Sequence, residues 1–230
     1  MAIKISLEEL LEAGAHFGHQ AKRWNPKMAS YLYGIQEGVH VFDLTKTKVA
    51  MEEALDVLKN AAKEGKNILI LGTKKQCKEK IIEIGKETGM PYVSERWLGG
   101  TLTNFDQMKR SISKLSEMKT KMAAGEYKKY TKKERLLLER EITRLERFFG
   151  GISTLEKLPD MLFVVDTHKE TQAVKEALKM KIETIGIVDS NSDPTVVDYP
   201  IPMNDDAAKA LEYVLDLVKK AILEGQSKKK

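Results

Sequence analysis

The apolar pattern changes character twice along the chain. Residues 67–72 (Asn67-Ile68-Leu69-Ile70-Leu71-Gly72), 161–166 and 184–189 are continuous runs of Ile, Leu, Val, Met and Phe. Unbroken runs of this length read as strands buried on both faces of a parallel sheet. Tyr92-Val93 and Ile201-Pro202 add two short strands. Between them apolar residues recur at helical spacing. One helix, capped by Thr47 and closed by Gly65, carries Ala50, Met51, Ala54, Leu55, Leu58, Ala61 and Ala62. Others carry Cys77, Ile81, Ile82 and Ile84, span residues 170–179, or bury Ala207, Ala210, Leu211, Val214, Leu215, Val218 and Ile222. Strands alternating with helices predict an α/β parallel sheet covered on both faces. Upstream, Ser6-Leu7-Glu8-Glu9 has the form of a capping box, and the short helix it opens ends at Gly14. Tyr31-Leu32-Tyr33-Gly34-Ile35 and residues 39–44 predict a β-hairpin turning at Gln36-Glu37-Gly38. Residues 16–28 have no period and read as a loop.

The first change comes after Trp97. Met108, Ile112, Leu115, Met118 and Met122 form a thin stripe, and Leu138, Ile142, Leu145 and Phe149 repeat it beyond a turn at residues 125–130 capped by Thr131. Two narrow-striped helices with no strand between them predict an antiparallel hairpin of coiled-coil character. Arms of about 17 residues reach roughly 25 Å at 1.5 Å per residue. The sheet pattern resumes after Gly150-Gly151. The expected organisation is therefore a single α/β domain from residues 1–102 and 151–225, an inserted hairpin at 103–150, and a frayed basic tail at 226–230.

Charge sharpens this division. Residues 101–150 hold 13 Lys and Arg against seven Asp and Glu, a surplus of six, while the whole 230-residue chain carries only +5. Segregated positive charge is the footprint of a polyanion binder, although a solvated helical face has the same composition. Two connections add aromatic rings to cations: Lys22-Arg23-Trp24-Asn25-Pro26-Lys27 and Arg96-Trp97-Leu98-Gly99-Gly100-Thr101-Leu102-Thr103-Asn104. Such loops suit a sugar-phosphate backbone or an exposed base. The plainer reading is a turn whose tryptophan plugs the core, and the sequence leaves open which tryptophan does which.

Other chemistry finds little support. The single Cys77 excludes an internal disulfide and a cysteine-based zinc site, and reads as a buried thiol. No apolar run approaches the roughly 20 residues of a membrane span and the N-terminus lacks a signal-peptide core, so a cytoplasmic setting is expected. Strand ends at Gly72-Thr73-Lys74-Lys75, 166–169 and 189–191 keep a phosphosugar- or nucleotide-using enzyme in view. Yet there is no phosphate-loop motif, no dinucleotide fingerprint and no nucleophile elbow. His16 and His19 lack a third ligand at a metal spacing, and Asp189, Asp193, Asp205 and Asp206 suit turn and helix caps better than a hard cation. No catalytic residue, cofactor or metal is expected. A protein–protein adaptor, its hairpin docking a partner helix, is a third possibility.

Five stretches together carry a family resemblance: residues 12–20 (Glu12-Ala13-Gly14-Ala15-His16-Phe17-Gly18-His19-Gln20), 23–28, 71–76, 96–105 and Asn204-Asp205-Asp206-Ala207. In order and over nearly the whole chain they resemble the bacterial small-subunit ribosomal protein S-two family. The resemblance implies a flavodoxin-like sheet with a protruding helical hairpin. It implies no catalysis and no small-molecule substrate. It implies binding to small-subunit ribosomal RNA and help in recruiting the large multidomain ribosomal protein that captures messenger RNA. The expected RNA-binding residues are Lys22, Arg23, Trp24, Asn25, Lys27, Lys74, Lys75, Arg96, Trp97, Gly99, Gly100, Thr101, Thr103 and Asn104. On the hairpin they are Lys109, Arg110, Lys114, Lys132 and Lys133, with Lys119, Lys121, Lys128, Lys129 and Arg135 as further phosphate contacts.

Overall fold

The computed structural model describes residues 4–227, so Lys228-Lys229-Lys230 of the expected tail lies outside the described residues. In chain order come α1 (Leu7–Glu12), β1 (Phe17–Gln20), β2 (Leu32–Gln36), β3 (Val39–Phe42), α2 (Leu44–Lys63), β4 (Ile68–Leu71), α3 (Lys78–Thr88) and β5 (Tyr92–Val93). Then follow α4 (Phe105–Ala123), α5 (Lys132–Phe149), β6 (Met161–Val164), α6 (Thr171–Met180), β7 (Glu183–Val188), β8 (Tyr199–Pro202) and α7 (Ala208–Ser227). Gln226 and Ser227, expected in the tail, are the last residues of α7.

The five parallel strands lie in the order β5-β4-β6-β7-β8. Numbered within the sheet this is 2-1-3-4-5, the flavodoxin-like winding, with its switch point between β4 and β6. The apolar runs divide by parity because successive side chains point to opposite faces. Ile68, Ile70, Met161, Phe163, Ile185 and Ile187 join the core beneath α2, α3 and α7. Leu69, Leu71, Leu162, Val164 and Val188 join the core shared by α6, the Trp97 loop and the base of the hairpin. Each of these larger side chains stabilises the fold by about 2 kcal/mol on burial.

Two expectations need correction. Residues 17–20, read as loop, form strand β1, which pairs antiparallel with β3 in a separate three-stranded sheet of order β1-β3-β2. Four residues with two polar side chains carry too little pattern to announce a strand; pairing decides it, helped by His19 N–H donating to Ser190 Oγ at 2.7 Å. Helix α2 is capped by Asp43, whose carboxylate accepts from Thr45 N–H at 3.0 Å, rather than by Thr47. Thr47 is buried one turn later, where its hydroxyl donates to the Pro202 carbonyl at 2.6 Å.

The hairpin is two helices joined by a short turn, with Thr131 and Glu134 forming a full capping box at the start of α5. Leu115 and Met118 of α4 are buried with Ile142, Leu145 and Phe149 of α5. Gly151 marks the root. A Cβ placed there would meet the Tyr92 carbonyl oxygen at 2.2 Å, so only glycine lets the chain pass so close to β5. Among the described residues, no helix is long and apolar enough to cross a membrane.

Candidate nucleic-acid interface

The Trp97 loop is built around one carboxylate. Glu176 lies on the buried side of α6 with Ala173, Val174 and Ala177, and is only 3 % exposed. Its Oε1 accepts from Trp97 Nε1 at 3.2 Å and Gly100 N–H at 2.8 Å. Its Oε2 accepts from Leu102 N–H at 3.0 Å and from both the N–H and hydroxyl of Thr103 at 3.3 Å. Burial alone pushes the carboxyl up. The donors from Gly100, Leu102, Trp97 and Thr103 outweigh it and hold the group below the usual carboxylate range. Gly100 takes φ 91°, which aims its N–H inward. Sequence reasoning missed Glu176; the available signal was one acidic residue within the apolar stripe of a short helix.

This arrangement turns three of the expected RNA contacts toward the protein: Trp97, Thr101 and, through its N–H to Glu176, Gly100. Trp97 is a core plug, 7 % exposed, because its ring packs with Leu102 and the hairpin base while its N–H is spent on Glu176. Thr101 is buried and its hydroxyl donates to the Leu98 carbonyl at 2.6 Å. Arg96, Gly99, Thr103 and Asn104 remain exposed on the same loop. The core thus holds the loop from beneath while its polar rim faces solvent.

The other loop lies on the same face of the sheet, since Met28 shares a core with Trp97. Asn25 N–H donates to the Ser190 carbonyl at 2.7 Å, tying the loop to the end of β7. Trp24 is half-buried against His40, with ring centroids 4.8 Å apart. Lys22 and Arg23 are exposed and free of ion pairs among the described residues, whereas Lys27 is held by Asp193 at 2.5 Å. Lys27 is therefore a brace between loop and body before it is a free cation.

The hairpin divides its cations in the same way. Lys114 reaches Glu141 at 3.5 Å, Lys121 reaches Glu117 at 2.5 Å, and Lys119 pairs with Glu146. Lys109, Arg110, Lys128, Lys129, Lys132, Lys133 and Arg135 have no ion pair among the described residues and are exposed. Lys109 and Lys129 lie 5.7 Å from the ring centroids of Phe105 and Tyr130.

At the switch point, where flavodoxin-like folds hold ligands, the space is occupied by charge of the wrong sign for a phosphate. Lys74 Nζ sits 3.0 Å from Asp166, 2.5 Å from Asp205 and 2.7 Å from Asp206. His19 Nδ1 lies 3.0 Å from Asp189, whose other oxygen accepts from Asp205 N–H at 3.1 Å. The bond to Asp189 raises the His19 pKa against the opposing effect of burial. Burial and the charges of Asp189 and Asp166 push Asp205 up to about 8, against the pull of Lys74. Lys74 is thus a caged structural cation, its charge taken up within the fold and not displayed as the sequence led one to expect; Lys75, its neighbour, is exposed and unpaired among the described residues. Cys77 is buried and desolvation pushes its thiol up to about 11, which fits an inert side chain. No group of three or more His, Cys, Asp or Glu among the described residues could hold a metal ion.

Comparison with known proteins places this geometry in a family. The sequence model described as Ribosomal protein S2 matches residues 10–225. A relative from a Nitratiruptor species, named Small ribosomal subunit protein uS2, is 46% identical over 96% of this chain and 83% of its own length. Proteins of the same name from a Roseiflexus species and from Porphyromonas gingivalis are each 45% identical, covering 98% and 99% of this chain and 86% and 81% of their own.

Proposed function

Since the chain belongs to the ribosomal protein S2 family, we propose that its unpaired cations form the surface that grips small-subunit ribosomal RNA. The protein is a structural constituent of the small subunit of the cytoplasmic ribosome and not an enzyme, with ribosomal RNA and ribosomal proteins as its partners. The observation that carries the proposal is a concentration of unpaired cations. Lys27, Lys74, Lys114, Lys119 and Lys121 are held by carboxylates, while Lys22, Arg23 and Arg96 on the two loops and Lys109, Arg110, Lys128, Lys129, Lys132, Lys133 and Arg135 on the hairpin face solvent with no ion pair among the described residues. Unpaired exposed cations break no ion pair when they meet phosphates, and binding is driven by the counterions that the RNA releases. The amended contact set is Lys22, Arg23, Trp24, Asn25, Lys75, Arg96, Gly99, Thr103, Asn104, Lys109, Arg110, Lys132 and Lys133, with Lys128, Lys129 and Arg135 at the hairpin's outer end. Among the described residues, 4–102 and 151–227 act as the body and 103–150 as its arm. Recruitment of the large multidomain ribosomal protein that captures messenger RNA rests on the family resemblance.

Chemical footprinting of small-subunit particles assembled with and without the chain tests the proposal. Protection of a compact set of riboses, partly lost on deleting the outer hairpin, is the expected result. Identical footprints with and without the chain would overturn it.

A further inference from the structure

A cavity of about 370 Å³ lies between the Asn25 loop, the first turns of α6 and the connection after β7. Its volume falls in the range of about 300–1,000 Å³ typical of small-ligand sites. Val174, Leu178 and Val196 give it apolar walls, while Asn25, Thr171, Asn191 and Asp193, the last neutralised by Lys27 at 2.5 Å, give it a polar rim. Thr167 lines it too; that residue is only 3 % exposed, and its hydroxyl has no hydrogen-bond partner among the described residues. A buried hydroxyl left unpartnered costs free energy that a ligand can recover. The Asn25 amide nitrogen is also without a protein partner among the described residues, because only its oxygen is used, by Lys27 N–H. Helix α6 begins beside the cavity with no side-chain cap from Glu170, and Lys175, exposed one turn later, has no ion pair among the described residues.

We propose that this cavity takes one unstacked nucleotide of RNA. The base lies between the apolar walls. Asn25, Asn191 and Thr167 hydrogen-bond its edge, and the phosphate faces the start of α6 and Lys175. Sequence-selective recognition of RNA works on splayed-out bases in this manner, with amide and hydroxyl groups reading edges that a duplex hides. The position agrees, since Asn25 follows the exposed Lys22 and Arg23 on the same loop, so a strand held by those cations runs toward the cavity. The inference rests on the RNA-binding reading and adds a single-nucleotide site to it. A free nucleotide shares the same chemistry, and the test separates the two sources.

Amide chemical shifts of the full chain are followed while short single-stranded RNA oligonucleotides, or the four nucleoside 5′-monophosphates, are titrated. The expected result is saturable shifts at residues 167–178 and 191–196 with at least one oligonucleotide. These are weakened at least tenfold by Leu178→Glu, an exposed position whose change leaves the core intact. Shifts with monophosphates but none with any oligonucleotide would overturn the RNA assignment in favour of a free ligand. No shifts at these residues with either probe would overturn the site altogether. Ribosomal RNA affinity of Leu178→Glu and of Lys132→Ala/Lys133→Ala is measured alongside. If the hairpin variant loses affinity while the cavity stays silent, only the nucleotide site fails. If neither binding nor its salt dependence involves the hairpin, the broader reading fails.

Discussion

The Trp97 indole N–H donates to the Glu176 carboxylate at 3.2 Å across 79 residues of sequence, joining the glycine-rich loop to helix α6. That bond places the loop's polar residues and the cavity flanked by α6 on one rigid support. The first prediction follows from it. Glu176→Gln leaves an amide NH2 where inward-facing N–H groups expect an acceptor, and costs about 2 kcal/mol in chemical denaturation. The pH dependence has a definite sign. The Glu176 carboxyl is held below its unfolded value of about 4.3, so its stabilisation is complete above that pH and fades as pH falls through the lower folded value. Wild-type stability should therefore drop more steeply than that of Glu176→Gln on acidification below about pH 4.3. Parallel curves would contradict the assignment.

The two tryptophans should separate cleanly. Trp97→Ala empties part of the core and costs about 3–5 kcal/mol of stability. Trp24→Ala, at a half-buried ring against His40, should cost less stability but weaken RNA binding by about 1–3 kcal/mol if the ring stacks on a base. Thermal melts and RNA affinity measured on both variants check the pair, and equal losses of affinity without a difference in melting would reverse the assignment.

The charge cage under the switch point gives a prediction of opposite pH sense. Lys74→Met leaves Asp166, Asp205 and Asp206 facing one another without their cation, at a cost of about 3–5 kcal/mol. Asp205, pushed up to about 8, contributes stability that is complete below the ordinary carboxyl range and is lost as pH rises toward 8. Wild type should accordingly lose stability relative to Asp205→Asn between about pH 4 and pH 8. A difference between the two that stays constant over that window would show that Asp205 is ionised throughout.

Why some of this was legible in sequence and some was not has a physical explanation. Strands β4, β6 and β7 are buried on both faces, so their composition alone marks them. The hairpin announced itself because a thin stripe such as Leu115, Met118, Ile142 and Leu145 suits two helices that pack mainly on each other. Strand β1 was hidden, since its pairing with β3 depends on contacts made across the chain. The roles of Trp97 and Lys74 were hidden for the same reason. An aromatic or a lysine in a glycine-rich loop looks alike whether its partner is RNA or a carboxylate brought from 79 or 131 residues away, and only the fold supplies Glu176 and Asp205.

The central claim is that the unpaired cations of the outer hairpin meet phosphates, and the salt dependence of binding to small-subunit ribosomal RNA tests it most directly. The logarithm of the binding constant should fall steeply with the logarithm of salt concentration, and Lys132→Ala/Lys133→Ala/Arg135→Ala should flatten that slope by about one unit per residue removed. A triple variant whose slope matches wild type would contradict the account.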